Sequence, residues 1–385
     1  MTSPLVTSLI DNDLYKFTMG QVTHDFAEAV VRYRFINRDR RPFPPGFADE
    51  LRAHVDAMAD LRLTPQEYDW VRRCAPWFKL GYLQWLRGFR FDPTQVRIGQ
   101  QGDDLRLEVE GPWIETIYWE VPLMAMISEL YFKSAPPDAD WEQRLKEKAD
   151  RLANAGVSWI DFGTRRRFSR AVQDRVNEVC KPYGPRFRGT SNPYFAMRHG
   201  LTPQGTFAHE LPMALQAKVG VRACNRAALD AWVNQYRGDL GIALTDTVTT
   251  DVFLRDFDAY YAKLFDGVRI DSGDPAEVGE RFVAHYQRLR IDPASKILVF
   301  SDALNTDRAI ALHKQFEHRV KMTAGIGTHL TNDFGHRALN MVIKLTHADF
   351  GHGFVGVVKL SDEPGKHTGD PADIAAAKRS LGLGE

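Results

Sequence analysis

From Val157 onward the chain repeats one arrangement seven times: a short apolar run, a Gly/Asp/Ser/Thr turn, then a helical pattern. The turns are DFGTRRR (Asp161–Arg167), FRGTSNP (Phe187–Pro193), GTFAHE (Gly205–Glu210), LTDTVTT (Leu244–Thr250), RIDSGDP (Arg269–Pro275), FSDALN (Phe300–Asn305) and TAGIGTHL (Thr323–Leu330). Apolar runs this short, alternating with helices, fit buried parallel strands joined by crossovers. The pattern predicts an α/β fold, an irregular TIM-like barrel whose strand ends all open on one face. A doubly wound open sheet would gather its site at one switch point. Here chemistry-bearing residues recur at nearly every strand end.

The first 135 residues read differently. Val30–Arg38 alternates like a half-buried strand, and VRIGQQGDDLRLEVEG gives two alternating runs around Gln101–Asp104, a hairpin. Asp11–Phe26 has helical spacing, and LTPQEYDWV carries Thr64, Pro65 and Glu67 as a capping box. KSAPPDAD (Lys133–Asp140) reads as a boundary. The expected organisation is therefore an α+β domain over 1–135 packed against the barrel and a linking helix over 136–156. The barrel follows over 157–345, and a C-terminal segment over 346–385 returns to the N-terminal domain.

Fifty basic and fifty acidic residues cancel, so no global field attracts nucleic acid or an anionic membrane. Any phosphate site must be local. Three well-separated cysteines, with no C-x-x-C, argue against a disulfide framework or a zinc site. No apolar run is long enough to span a bilayer, and MTSPLVTSLIDNDLYK lacks the layout of a signal peptide. A soluble cytoplasmic protein is expected.

Several turns carry candidate chemistry. Gly325, Gly327 and Thr328 form a glycine turn whose N–H groups can close on a phosphate, although many such turns are only turns. Asp271 and Asp274 flank Ser272–Gly273, a pair able to meet Mg²⁺ through water or a ribose, or simply an Asx turn in which Asp274 caps the next helix. Asp302 stands at the corresponding place of the next unit. Arg165, Arg166 and Arg167 offer bidentate anion binding, but at most two of three consecutive arginines can serve one ligand. His209 lacks an H-E-x-x-H partner, since position 213 is Met, so zinc is disfavoured. Core packing, acid/base work and phosphate acceptance stay open for it on local grounds.

Taken in order, LIDNDLYKFTMGQ, DFGTRRRFSR, GTSNPYFA, GTFAHE, GIALTDTVTTDVFLRDF, RIDSGDP, LVFSDALN, GIGTHLTND, LNMVIKL and VVKLSDEPGK resemble the successive motifs of the nicotinate phosphoribosyltransferases, from about residue 5 to about residue 370. The resemblance implies transfer of a phosphoribosyl group from 5-phosphoribosyl 1-diphosphate to nicotinate, a step of NAD salvage, coupled to ATP through transient phosphorylation of His209. It implies nicotinate contacts from Tyr15, Thr206 and Arg269. Arg165 and Arg167 would meet anionic groups, and Gly325, Gly327 and Thr328 would cradle the 5-phosphate. Asp271, Ser272, Gly273, Asp274 and Asp302 would face ribose, diphosphate or Mg²⁺, and a homodimer is expected. Two departures stand out: His329 replaces an expected arginine, suggesting a weaker or pH-dependent phosphate contact, and Leu211–Pro212 replaces an aromatic. The rival readings are a nicotinamide phosphoribosyltransferase, disfavoured by the arginines, and a non-catalytic nucleotide-binding barrel.

Overall fold

The computed structural model describes residues 4–383. Its strands are β1 (Val30–Asn37), β2 (Val96–Gln101), β3 (Asp104–Pro112), β4 (Trp159–Asp161), β5 (Phe187–Thr190), β6 (Arg237–Leu240), β7 (Ile242–Leu244), β8 (Gly267–Ile270), β9 (Ile297–Phe300), β10 (Lys321–Ile326), β11 (Met341–Asp349) and β12 (Val355–Gly356). All but β6 form two sheets, an antiparallel one in the order β12-β11-β1-β3-β2 and a parallel one in the order β5-β4-β10-β9-β8-β7.

β1 alternates as read: Val31, Tyr33 and Phe35 are buried while Arg34 is exposed. The hairpin β2–β3 turns through Gly102–Asp103, and the Thr64 capping box is present in both directions. Between the two sheets runs the Glu120–Phe132 helix, apolar on nearly every side because eleven of its residues are buried. The parallel strands WID, GVRI and ILVF are short, as expected where both faces are covered.

Six of the seven predicted units carry a strand of the parallel sheet; GTFAHE does not. Its segment takes the vacant place between β5 and β7 by other means. Pro203 makes a parallel bridge to Thr190, the Gln204 N–H donates to the Thr190 carbonyl, and the Thr206 hydroxyl donates to the Ile242 carbonyl at 2.7 Å. The arrangement is compatible with an irregular barrel. Gly205, at φ 144°, lets this segment run against the Leu14–Thr23 helix, since a Cβ there would lie 3.3 Å from the Tyr15 nitrogen.

The chain re-enters the antiparallel sheet at Met341, where β11 pairs with β1. Beyond β12 it leaves again: Val358, Leu360, Ala377 and Leu381 pack with Cys224, Val248 and Val252 in a separate apolar cluster. Among the described residues no helix is long and apolar enough to cross a membrane. All three cysteines are free.

One buried ion pair joins the N-terminal segment to the parallel sheet. Arg167 donates both terminal nitrogens to Asp11, at 2.7 and 3.0 Å, and Arg170 and Asn192 donate to the same carboxylate. Burial opposes ionisation of Asp11, but Arg167 outweighs it and holds the carboxyl below its ordinary value. Asp11→Ala would leave the buried Arg167 guanidinium with only Glu129, 4.0 Å from its Nε, as a counter-charge. The expected loss of stability is about 3–5 kcal/mol, read by urea denaturation; a variant as stable as the parent would show that this pair does not hold the halves together.

Candidate active site

Because the strands run parallel, their C-terminal ends deliver side chains to one face, and a cavity opens there in two connected lobes. The outer lobe, about 480 Å³, is lined by Asp13, Tyr15, Ser191, Gly327, Thr328 and His329 among others. The inner lobe, about 160 Å³, holds His209, Glu120, Asp302, Lys344, Lys359 and Lys366. Tyr15, Arg165, Arg166, Arg269, Asp271 and Ser301 line both. A larger groove of about 860 Å³ crosses the outer side of β1–β3, but none of the strand-end residues reaches it.

His209 stands at the start of the Glu210–Val219 helix, whose unpaired N–H groups favour negative charge nearby. Leu211 is fully buried, and Pro212 falls in the first turn, where no N–H is needed. The His209 Nε2 lies 2.9 Å from the Asp246 Oδ1. The other Asp246 oxygen accepts from Ser272 Oγ at 2.7 Å and faces Lys359 Nζ at 3.0 Å. Burial works against an ionised Asp246, yet His209 and Lys359 outweigh it and hold the carboxyl well below its ordinary value. A carboxylate at that position fixes the proton of the ring on Nε2 and leaves the Nδ1 lone pair free. For His209 itself, burial and the Lys359 charge beat the attraction of Asp246, and its pKa falls to about 4. The ring is neutral at physiological pH.

Asp271 is the second acid of the site. Its Oδ1 accepts from Ser301 at 2.6 Å; its Oδ2 lies 3.8 Å from His209 and 4.0 Å from Arg269. Burial opposes ionisation, but Arg269 and His209 bring the pKa to about 2. The Arg269 Nε is buried without a partner among the described residues, a donor free for an anion. Arg165 lies over the Tyr15 ring, 6.0 Å from its centroid, and Tyr15 is 7% exposed. His209, Asp246 and Asp271 place one ligand atom each within 4.8 Å of one another.

Several residues expected in the site sit elsewhere, each for a physical reason. Arg167 is spent on Asp11, and Arg166 takes its place at the cavity. Arg165 and Arg166 lie on a 3-10 turn, Thr164–Arg166, and Arg167 follows it in extended backbone, so successive side chains fan apart. Asp274 is exposed and caps the Pro275–Arg288 helix by accepting from the Glu277 N–H, the Asx alternative. Gly273 donates its N–H to Glu363, and Ser272 faces Asp246, so neither lines the cavity. Thr206 has its hydroxyl turned to Ile242; Gly205 lines the outer lobe instead. Gly325 lies within β10, where a Cβ would strike the Phe162 ring at 2.5 Å; its role is to admit that ring, which does line the cavity. Asp302 lines the inner lobe but is paired with Lys366 at 2.8 Å. His329 accompanies Thr328 in the outer lobe, yet burial and Lys148 push its pKa to about 4, so it supplies no cation there near neutral pH.

Asp246, Lys344 and Lys359 are the residues that pattern reading passed over, and it left open which of the three arginines faces the cavity. Asp246 lies in LTDTVTT, where the strand-end rule that picks out Asp271 and Asp302 applies equally. Lys359 had a weaker signal, a lysine inside the apolar run VVKL.

The ring of His209 is expected to titrate near pH 4, against about 6.5 for an ordinary histidine. Its folded pKa lies below the unfolded value, so its contribution to stability is intact above pH 6.5 and declines as pH falls toward 4. Lys359→Met should raise that midpoint and Asp246→Asn should lower it. Nitrogen-15 NMR of histidine-labelled protein reads all three, and a midpoint near 6.5 in the parent would contradict this electrostatic picture.

Comparison with known proteins agrees with this geometry. The pattern of the nicotinate phosphoribosyltransferase (NAPRTase) family matches residues 157–385, and that of the NAPRTase N-terminal domain matches residues 10–128. A nicotinate phosphoribosyltransferase of Chromohalobacter salexigens is 48% identical, covering 98% of this chain and 99% of the relative. That of Desulforapulum autotrophicum is 44% identical over 99% of this chain and all of the relative. The crystal structure of the Porphyromonas gingivalis nicotinate phosphoribosyltransferase superposes with a TM-score of 0.95 at 41% identity, covering 98% of this chain and 100% of that one. That from Vibrio cholerae gives 0.93 at 37% identity, over 100% and 96% of the two chains. With both halves of the chain matched and its strand-end cavity intact, the protein belongs to the nicotinate phosphoribosyltransferase family.

Proposed function

We propose that this protein makes nicotinate mononucleotide from nicotinate and 5-phosphoribosyl 1-diphosphate, and that it couples the transfer to ATP through a phosphate carried on His209. The observation that carries this reading is the buried His209–Asp246 pair, a neutral imidazole with its Nδ1 lone pair free, standing in a cavity lined by arginines and lysines.

In the transfer, the pyridine nitrogen attacks C1 of the sugar, and the C1–O bond breaks with its electron pair leaving on diphosphate. The pyridine brings a lone pair and becomes a pyridinium, so no proton moves. An oxocarbenium-like transition state needs held partners and matched charge more than covalent help. Tyr15 offers the ring a stacking face, and Arg269, with its unpartnered Nε, offers the nicotinate carboxylate a donor. Arg165 and Arg166 face the diphosphate, and the Gly327–Thr328 turn faces the 5-phosphate.

For the ATP half, Nδ1 of His209 attacks the γ-phosphorus, and ADP leaves with the electron pair of the broken P–O bond. The ring keeps its Nε2 proton, and the Asp246 carboxylate meets the positive charge that forms. Water later adds to phosphorus, the P–N bond returns its pair to Nδ1, and the phosphate keeps the protons of the water.

Magnesium fits one acid here. The oxygens of Asp246 are committed to His209, Ser272 and Lys359, while the Oδ2 of Asp271 has no hydrogen-bond donor among the described residues. When bound, Mg²⁺ would neutralise diphosphate charge, with Asp271 meeting it directly or through water. A cytoplasmic homodimer completes this reading, on the family likeness.

Incubation with γ-labelled ATP should give an acid-labile, base-stable phosphoprotein that His209→Ala abolishes. Asp246→Asn should slow labelling on the order of a hundred-fold. Product should form from nicotinate in strong preference to nicotinamide. Label that survives His209→Ala would move the phosphate elsewhere, and a preference for the amide would overturn the substrate.

A further inference from the structure

From the wall of the inner lobe a row of buried charges runs inward from Arg165, and the chemistry above leaves its other members, Glu120, Lys16 and Glu210, unused. Arg165 Nη1 is 3.4 Å from Glu120 Oε1, and Glu120 Oε2 is 2.7 Å from Lys16 Nζ. Lys16 also pairs with Glu210. The remaining Glu210 oxygen accepts from Tyr33 Oη at 2.5 Å and Trp113 Nε1 at 2.9 Å. Signs alternate along this row, and the Lys16 side chain is fully buried. The ends of the row are what matter. Arg165 lines the lobe that receives substrate, whereas Glu210 directly follows His209 and opens its helix. In the middle, Lys16 is the chain neighbour of Tyr15.

We propose that Glu120, Lys16 and Glu210 are positioning residues, through which the charge balance at Arg165 sets the placement of the His209 ring. Each buried charge in such a row has few alternative partners, so altering one redistributes the hold on the next. An anion that draws on Arg165 loosens its grip on Glu120, and Lys16 then divides its hydrogen bonds differently between Glu120 and Glu210. Glu210 is fastened on its other side by Tyr33 of β1 and Trp113, so a shift in its balance is transmitted to the first turn of the Glu210–Val219 helix. Substrate arrival and readiness of the histidine are thereby linked without direct contact between them. The inference rests on reading His209 as the reacting group.

The test uses full-length protein labelled with nitrogen-15 at histidine, at one near-neutral pH, and follows the Nε2–H resonance held by Asp246. His209→Asn identifies that resonance by its loss. Arg165→Gln should displace it, and in a Glu120→Gln background the same substitution should displace it at least twofold less, a non-additivity that independent sites do not show. Glu120→Gln keeps the size and hydrogen-bonding shape of the row, so it is the primary variant. Lys16→Met, which cuts the next link, should give the same reduction, with near-ultraviolet circular dichroism confirming the fold. Equal displacement in parent and Glu120→Gln backgrounds, or none in the parent, overturns the proposal. A protein that forms no nicotinate mononucleotide would sink the functional reading and leave these displacements as they are.

Discussion

The carboxylate of Asp246 is the contact on which the rest of the site depends. It lies at the end of a parallel strand, out of water, and gathers a histidine, a hydroxyl and an ammonium from three other segments. A buried carboxylate without those partners would protonate or drive local unfolding. With them it orders the β8 turn through Ser272, the C-terminal segment through Lys359, and the helix start through His209. The same contact selects the tautomer of the histidine and leaves its other nitrogen available. Structure and chemistry therefore share one group.

The two halves of the molecule are fastened by charge where they approach the cavity and by apolar packing away from it. The Glu120–Phe132 helix supplies the packing, being buried almost all round between the sheets. Asp11 with Arg167, and Lys16 with Glu120 and Glu210, supply the charge contacts. These ionic contacts stand beside the cavity, so the cavity-lining Arg165 and Arg166 have as neighbours an arginine and a lysine already paired. The chain is electrically neutral overall, so the positive character of the cavity is local concentration.

Much of this was legible in the sequence. The strand-end rule located Asp271, Asp302, Arg165, Gly327 and Thr328 on the working face, and the capping box and hairpin of the first domain stand where the pattern puts them. Three kinds of reading failed, each for a definable reason. A turn of consecutive arginines does not reveal which one faces inward, because that depends on a buried aspartate some 150 residues away, Asp11. An Asp–Ser–Gly–Asp turn has two readings, and Asp274 took the helix cap because the following helix needed one. GTFAHE looks like the other strand-to-helix turns, yet its segment makes one bridge and no ladder, which local apolar content does not disclose.

That missing ladder divides the ring into unequal materials. Six positions are strung together by backbone hydrogen bonds whose geometry tolerates little variation. The seventh, which carries His209, hangs from a hydroxyl, a single bridge and a glycine pressed against the Leu14–Thr23 helix. His209 thus stands on the segment of this face that joins its neighbours without a strand ladder. That segment leans instead on the Leu14–Thr23 helix, so the first domain supports the backbone that carries His209 as well as walling the cavity with Tyr15.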